Sequence, residues 1–245
     1  MQKIGHAKGL RVALLRVGID SGSGGIQGPL FVDGKFEYIP IPDDRNVDNR
    51  TYGNSPGRYA KTLAEYFPSR RRELIRNQPI HMDPEFDTFT YGDPTSPKAG
   101  LRWLNPGDIL AFYCGLEGRD FRSQAALYLM GYFEVKIAGR VSDLERRTVH
   151  SEFSANFHVR HSSVYSETSR LVLVKGGRGS RLLNKAVKIS SYGVDRVGRR
   201  LKILSPEVRR IFGGFGGKVS IQRSPPRWIS EEHARITAEF LRSLD

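Results

Sequence analysis

Arg11-Val-Ala-Leu-Leu-Arg-Val-Gly-Ile-Asp-Ser-Gly-Ser-Gly-Gly-Ile-Gln-Gly-Pro-Leu-Phe31 runs an apolar strand, Leu10 to Val17, straight into a loop with five glycines and one carboxylate. Glycine enters positive φ without steric cost and leaves its N–H groups unshielded, so such a run lets backbone approach a ligand closely. Asp20 falls at the carboxyl end of the strand, where α/β folds place ligand-binding and catalytic groups. The stretch therefore predicts an anion nest from Gly22, Gly24 and Gly25 with Arg16 beside it, and Asp20 as a catalytic carboxylate. The competing expectation is a turn that only reverses the chain. A Walker phosphate loop is excluded, since no Gly-Lys-Ser/Thr follows. Aspartic-protease chemistry would require a second Asp-Ser-Gly or a dimer, and glutamate-racemase chemistry two catalytic cysteines; this chain has one Asp-Ser-Gly and one cysteine.

Outward from this strand, Asp33-Gly34 between apolar flanks reads as a tight turn, and Phe36 to Ile41 as a short strand. Asp43 to Arg58 is polar and aperiodic, which predicts a long surface loop of the lid type. Tyr59, Leu63, Tyr66 and Phe67 fall at helical spacing, with Pro68 breaking the run and Ser69 starting a second turn. Ile109 to Cys114 and Leu127 to Val135 read as an antiparallel strand pair joined by the charged segment Glu117 to Arg122. Leu171 to Val174 is a short apolar strand, Leu182 to Ile189 is helix-like, and Phe212-Gly-Gly-Phe215-Gly-Gly is a glycine-rich connector. Ser230, followed by Glu231 and Glu232, starts a final helix. There is no fixed-period repeat and no clean linker. The expected fold is α/β or α+β, a single composite domain over residues 10–245 with a mixed sheet, preceded by an extension at residues 1–9.

The 39 Lys and Arg against 26 Asp and Glu in 245 residues give a formal charge of +13, enough to draw a polyanion by field and counterion release. A salt-bridged, solvated surface is the alternative. The arginine doublets and triplets are scattered, so any basic surface has to be assembled by folding. The lone Cys114 excludes an intramolecular disulfide framework and fits a cytoplasmic protein. No stretch approaches the ~20 apolar residues of a membrane-spanning helix, which argues against a membrane partner.

Three further stretches carry dense chemistry. His81-Met-Asp-Pro-Glu-Phe-Asp-Thr-Phe-Thr-Tyr-Gly-Asp93 offers an imidazole, four carboxylates and Tyr91, enough for either hard-metal ligation or acid/base work by His81 and Asp83. The His81-x-Asp83-x-x-x-Asp87 spacing matches no recognised ligand signature, so no metal site and no cofactor are assigned. Asn156-Phe-His158-Val-Arg160-His161, read as extended, would send Asn156, His158 and Arg160 to one face as a donor-rich strip. Lys175-Gly176-Gly-Arg-Gly-Ser180-Arg181 combines cations, a hydroxyl and a pliable loop, a second candidate phosphate site. Tryptophans beside Arg102 and Arg227 offer stacking surfaces for bases, although most of the aromatics are expected in the core.

On these residues the chain resembles the third nucleotide-modification-associated domain family, regarded as DNA base-modifying enzymes. The likeness rests on Arg16 to Phe31, Tyr38-Ile-Pro-Ile-Pro42, His81-x-Asp83-Pro-x-Phe86 and Thr90-Tyr-Gly92, and on Gly107-Asp108-x-Leu110-x-Phe-Tyr113. It continues through Tyr128-x-x-Gly-Tyr-Phe-Glu-Val135, Asn156-x-His158, Leu171 to Gly176 and Ser180-Arg-Leu-Leu183. The resemblance implies a DNA or nucleotide substrate. The strand pair from Gly107 to Val135 is also similar to PUA-like antiparallel barrels, which implies a non-catalytic reader of modified DNA as the second expectation. An RNA-binding accessory protein is the third. Methyl transfer and zinc deamination are disfavoured, for want of the glycine fingerprint and of a cysteine pair.

Overall fold

The computed structural model describes residues 9–164, 169–194, 197–215, 221 and 225–245. Residues 1–8 of the expected extension and the last two glycines of the Phe212 to Gly217 connector lie outside them. The chain opens with β1 (Val12–Arg16), β2 (Gly28–Leu30), β3 (Ile41–Pro42), α1 (Ser69–Arg76), β4 (Ile80–His81) and β5 (Thr90–Asp93). There follow β6 (Ile109–Gly118), β7 (Ala126–Arg140), α2 (Arg146–Phe153), α3 (Phe157–Arg160), β8 (Val172–Gly176) and β9 (Arg181–Lys188). The chain closes with β10 (Ser190–Val194), β11 (Arg200–Leu204), α4 (Pro206–Phe212), β12 (Arg227–Trp228) and α5 (Glu231–Arg242).

The main sheet is mixed and eight-stranded, running β12-β1-β6-β7-β8-β5, with β2 added on β6 and β9 on β7. β6 and β7 form the expected antiparallel hairpin, and the apolar run of β1 lies parallel to β6, Val12 opposite Ile109 and Arg16 opposite Tyr113. Strands covered on both faces read as continuous apolar runs rather than alternating ones, which is why Val12 to Leu15 and Ile109 to Cys114 are all buried. The end strands β12 and β5 do not pair with each other, so among the described residues the sheet stays open. The PUA-like barrel portion is therefore not found.

Two long strands each carry a broken neighbour. β1 and β2 run in line along β6, Gly28 pairing with Leu116, and residues 17–27 leave the sheet between them. β8 and β9 run in line along β7, and residues 177–180 leave between them. Leu182 to Ile189 is accordingly strand rather than helix: its leucines and valine fit an i, i+3/i+4 pattern, but the free edge of β7 between Tyr128 and Tyr132 captures the segment.

The core is aromatic at its centre. Phe112 and Phe133 meet edge to face at 4.7 Å, with Phe86 and Tyr91 packed around them. Each such fully buried ring contributes about 1.5–3 kcal/mol. A second cluster of Ile19, Ile39, Tyr52, Leu63, Phe67 and Ile80 underlies residues 43–67. Residues 43–58 form the expected irregular surface segment, anchored from beneath: Tyr52 is fully buried and donates its hydroxyl to the Pro40 carbonyl at 2.7 Å, while the buried Asp43 carboxylate accepts the Arg45 and Val47 amides. The helical spacing over residues 59–75 resolves into a 3-10 turn, Leu63–Tyr66, and α1.

Candidate active site

β3 and β4 pair so that Ile41 lies opposite His81, which delivers His81 beside the carboxyl end of β1. Two residues further on, Asp83 turns inward, and both its carboxylate oxygens accept the Gly92 amide of β5 at 3.1 Å. Gly92 is constrained twice. Its amide holds Asp83, and a Cβ there would press on Asn156 Oδ1 at 2.9 Å and on the His158 ring at 3.0 Å.

His158 arrives from α3, a single turn. The expected extended strip is a helix because Asn156 caps it, its side-chain oxygen accepting the His158 amide at 3.1 Å. Asn156 Nδ2 also donates to Thr90 Oγ1 at 3.3 Å, tying the cap to β5. The result is a close trio: His81 Nε2 and His158 Nε2 are 3.2 Å apart, and His158 Nε2 is 3.5 Å from Asp83 Oδ2. The Phe157 ring lies against His81 with centroids 4.1 Å apart.

His81 and Asp83 open onto a cavity of about 250 Å³ that Arg16, Asp20, Ser23, Tyr91, Asp93 and Lys98 also line. Asp20 and Asp83 are two carboxylates in opposite environments. Burial raises Asp20, but the Gly22 amide, the Arg16 guanidinium at 2.9 Å and Ser23 outweigh it, so Asp20 sits below the usual carboxylate range. Burial drives Asp83 well above that range, and the Gly92 amide only partly offsets it. His81 is pushed down to about 3 by burial and by the neighbouring imidazole, and His158 to about 4, chiefly by burial. The two cavity carboxylates are thus pushed in opposite directions, Asp20 down and Asp83 up, beside two imidazoles pushed down.

A family model described as nucleotide modification associated domain 3 matches residues 11–241. The chain belongs to that family. No curated protein and no solved structure matches it. The match runs from β1 to α5, so every cavity residue lies inside the nucleotide modification associated domain.

Within that domain, Asp20, His81 and Asp83 line one cavity with Arg16 and Tyr91, and His158 meets His81 and Asp83 without lining it. The Gly22, Gly24 and Gly25 amides do not form an outward nest. Gly22 and Ser23 donate to the Asp20 carboxylate, and Gly24 and Gly25 to the Asp20 carbonyl at 3.0 Å. Asn156 acts from behind, through the cap. Arg160 is directed to Asp48 and Glu85 at 3.4 and 3.3 Å. Lys175, Gly176, Ser180 and Arg181 are not in the cavity wall: Lys175 donates to the Thr88 carbonyl, Ser180 accepts the Glu134 amide, and Arg181 donates to the Leu244 carbonyl. Asp87 is exposed.

Gly92, Asp93 and Lys98 belong to the site and are not singled out by residue type. Lys98 pairs with Asp93 at 3.2 Å, and Tyr91 donates to the same carboxylate at 3.0 Å. The Thr90-Tyr-Gly92 run was the available signal, since a glycine inside a β-rich stretch marks close approach of another group. Cys114 is buried, its thiol pushed up to about 12, and is unsuited to act as a thiolate nucleophile. Among the described residues no helix is long and apolar enough to cross a membrane.

Proposed function

We propose that the domain is an enzyme that modifies a DNA base or nucleotide, with Asp20, His81, Asp83 and His158 as its proton-handling groups. The observation that carries this reading is the pair of carboxylates in one cavity, Asp20 lowered by the Gly22 amide and Arg16 and Asp83 raised by burial, beside two closely paired imidazoles. Separation of acid and base by environment is how a site runs proton transfer near neutral pH. Membership of the nucleotide modification associated family supports a nucleotide or nucleic-acid substrate.

The cavity, at about 250 Å³, lies just below the usual range for small-ligand sites, and that size favours a single base or nucleoside over a length of strand. A base within duplex DNA would have to be extruded to enter. Arg16 and Lys98 supply cations at its wall. The reader alternative leaned on a closed barrel, and the open sheet removes that support.

Nucleoside mass spectrometry on DNA from cells with and without the protein tests the proposal. A nucleoside that appears or vanishes with the protein, and reverts with Asp20→Asn, supports it. Identical spectra across all three samples contradict it. Salt-dependent competition between DNA and RNA separates the RNA-binding alternative.

A further inference from the structure

The inner wall of the cavity presents a second kind of chemistry. We infer that His81, Asp83 and His158 form a binding site for one divalent transition-metal ion, with an open coordination position facing the cavity. Their ligand atoms, one from each residue, all lie within 4.8 Å of one another. An ion held about 2.1 Å from His158 Nε2 would see its 3.2 Å separation from His81 Nε2 and its 3.5 Å separation from Asp83 Oδ2 as angles of about 100° and about 110°, and the His81 and Asp83 ligand atoms, within 4.8 Å of each other, would draw in to the ~4.2 Å that two such bonds span. Those angles fall between octahedral and tetrahedral values. Two nitrogen donors with one carboxylate suit zinc, iron or a neighbouring first-row ion, and not magnesium or calcium, which prefer all-oxygen shells.

The surroundings are those of a supported ligand set. The Gly92 amide orients the Asp83 carboxylate, the Asn156 cap fixes the turn that carries His158, and the Phe157 ring packs on His81. His81 and Asp83 line the cavity opposite the Asp20 loop, and His158 meets both of them from outside its wall, which leaves the cavity side open to a substrate atom or water. The inference stands on this geometry and recasts His81, Asp83 and His158 of the proposed site as ligands in their deprotonated forms, with Asp20 left as the proton-handling group.

The test uses the untagged full chain, stripped with a chelator and titrated with Co²⁺, with absorption spectra and metal analysis read together. One equivalent is expected to bind with visible ligand-field bands and to raise the thermal midpoint. His81→Gln and His158→Gln should each weaken binding at least tenfold, while Asp20→Asn keeps one equivalent. Should either histidine variant fail to fold, pulsed electron paramagnetic resonance of the wild-type protein loaded with Cu²⁺ counts the coordinated imidazoles directly, and two are expected. Absence of stoichiometric binding in the wild-type chain, unchanged affinity in folded histidine variants, or a count of zero imidazoles overturns the site. Absence of any nucleoside product from the wild-type chain with metal binding intact would contradict the enzyme proposal and leave this site standing.

Discussion

Residues 17–27 and residues 177–180 each interrupt a strand that runs along the edge of a longer one, the first on β6 and the second on β7. Both are glycine-rich and both resemble phosphate loops in sequence. The longer excursion carries an acid, wraps its own amides around Asp20, and brings that carboxylate to a cavity shared with His81 and Asp83. The shorter one is closed by Ser180, whose hydroxyl accepts the Glu134 amide; a Cβ on Gly179 would meet the Glu134 carboxylate, and one on Gly176 at the end of β8 would meet the Ser180 hydroxyl. Glycine content alone therefore reports close packing. What that packing serves is decided by the polar group the loop encloses and by the strand end it leaves from.

The sharpest way to break the contrast is Asp20→Asn against Ser180→Ala. Removing the Asp20 charge should lower product formation at least about 100-fold with DNA binding retained, read by nucleoside mass spectrometry and by titration of labelled DNA. Equal product from the two variants would erase the distinction. Next, Gly92→Ala should cost about 1–3 kcal/mol in a denaturant melt, since the new methyl must displace Asn156 or the His158 ring. It should also reduce product, because the Asp83 anchor shifts with it. Ser180→Ala should cost about 1–2 kcal/mol by leaving the Glu134 amide without its acceptor, with product per folded molecule unchanged.

The smallest effect separates the loops by pH. Asp20 is depressed in the folded chain, so its contribution is complete above the unfolded carboxylate value, about 3.9, and is lost as pH falls through the lower folded value. Hydrogen exchange of the Gly22 and Ser23 amides should accelerate across that acid window, while the Glu134 amide, held by a neutral hydroxyl, keeps its protection. Parallel acceleration of both would show that Asp20 does not organise its loop.

The sheet was largely legible because β1, β6 and β7 are apolar runs bounded by turn residues, and local pattern governs such segments. Leu182 to Ile189 was misread because an unpaired edge of β7, invisible in the local spacing, overrode a helix-like pattern. At Asn156 the signal was present: an asparagine three residues before Val159 is an N-cap, yet the two-residue spacing to His158 and Arg160 also fits a strand. The trio of His81, Asp83 and His158 could not be read from spacing. His158 stands 77 residues from His81 and meets it only because β4, β5 and α3 converge on Gly92. Lys98 comes from a 3-10 segment, Ser96–Trp103, with no motif of its own.

The central claim is that Asp20 and the histidine pair act on one bound base. Nuclear magnetic resonance of the full chain titrated with nucleosides and mononucleotides tests it most directly. The account predicts that the His81 and His158 imidazole resonances and the Gly22 and Ser23 amides shift together with one affinity, while the amides of residues 177–180 stay still. Shifts confined to residues 177–180, with the imidazoles unmoved, would contradict it.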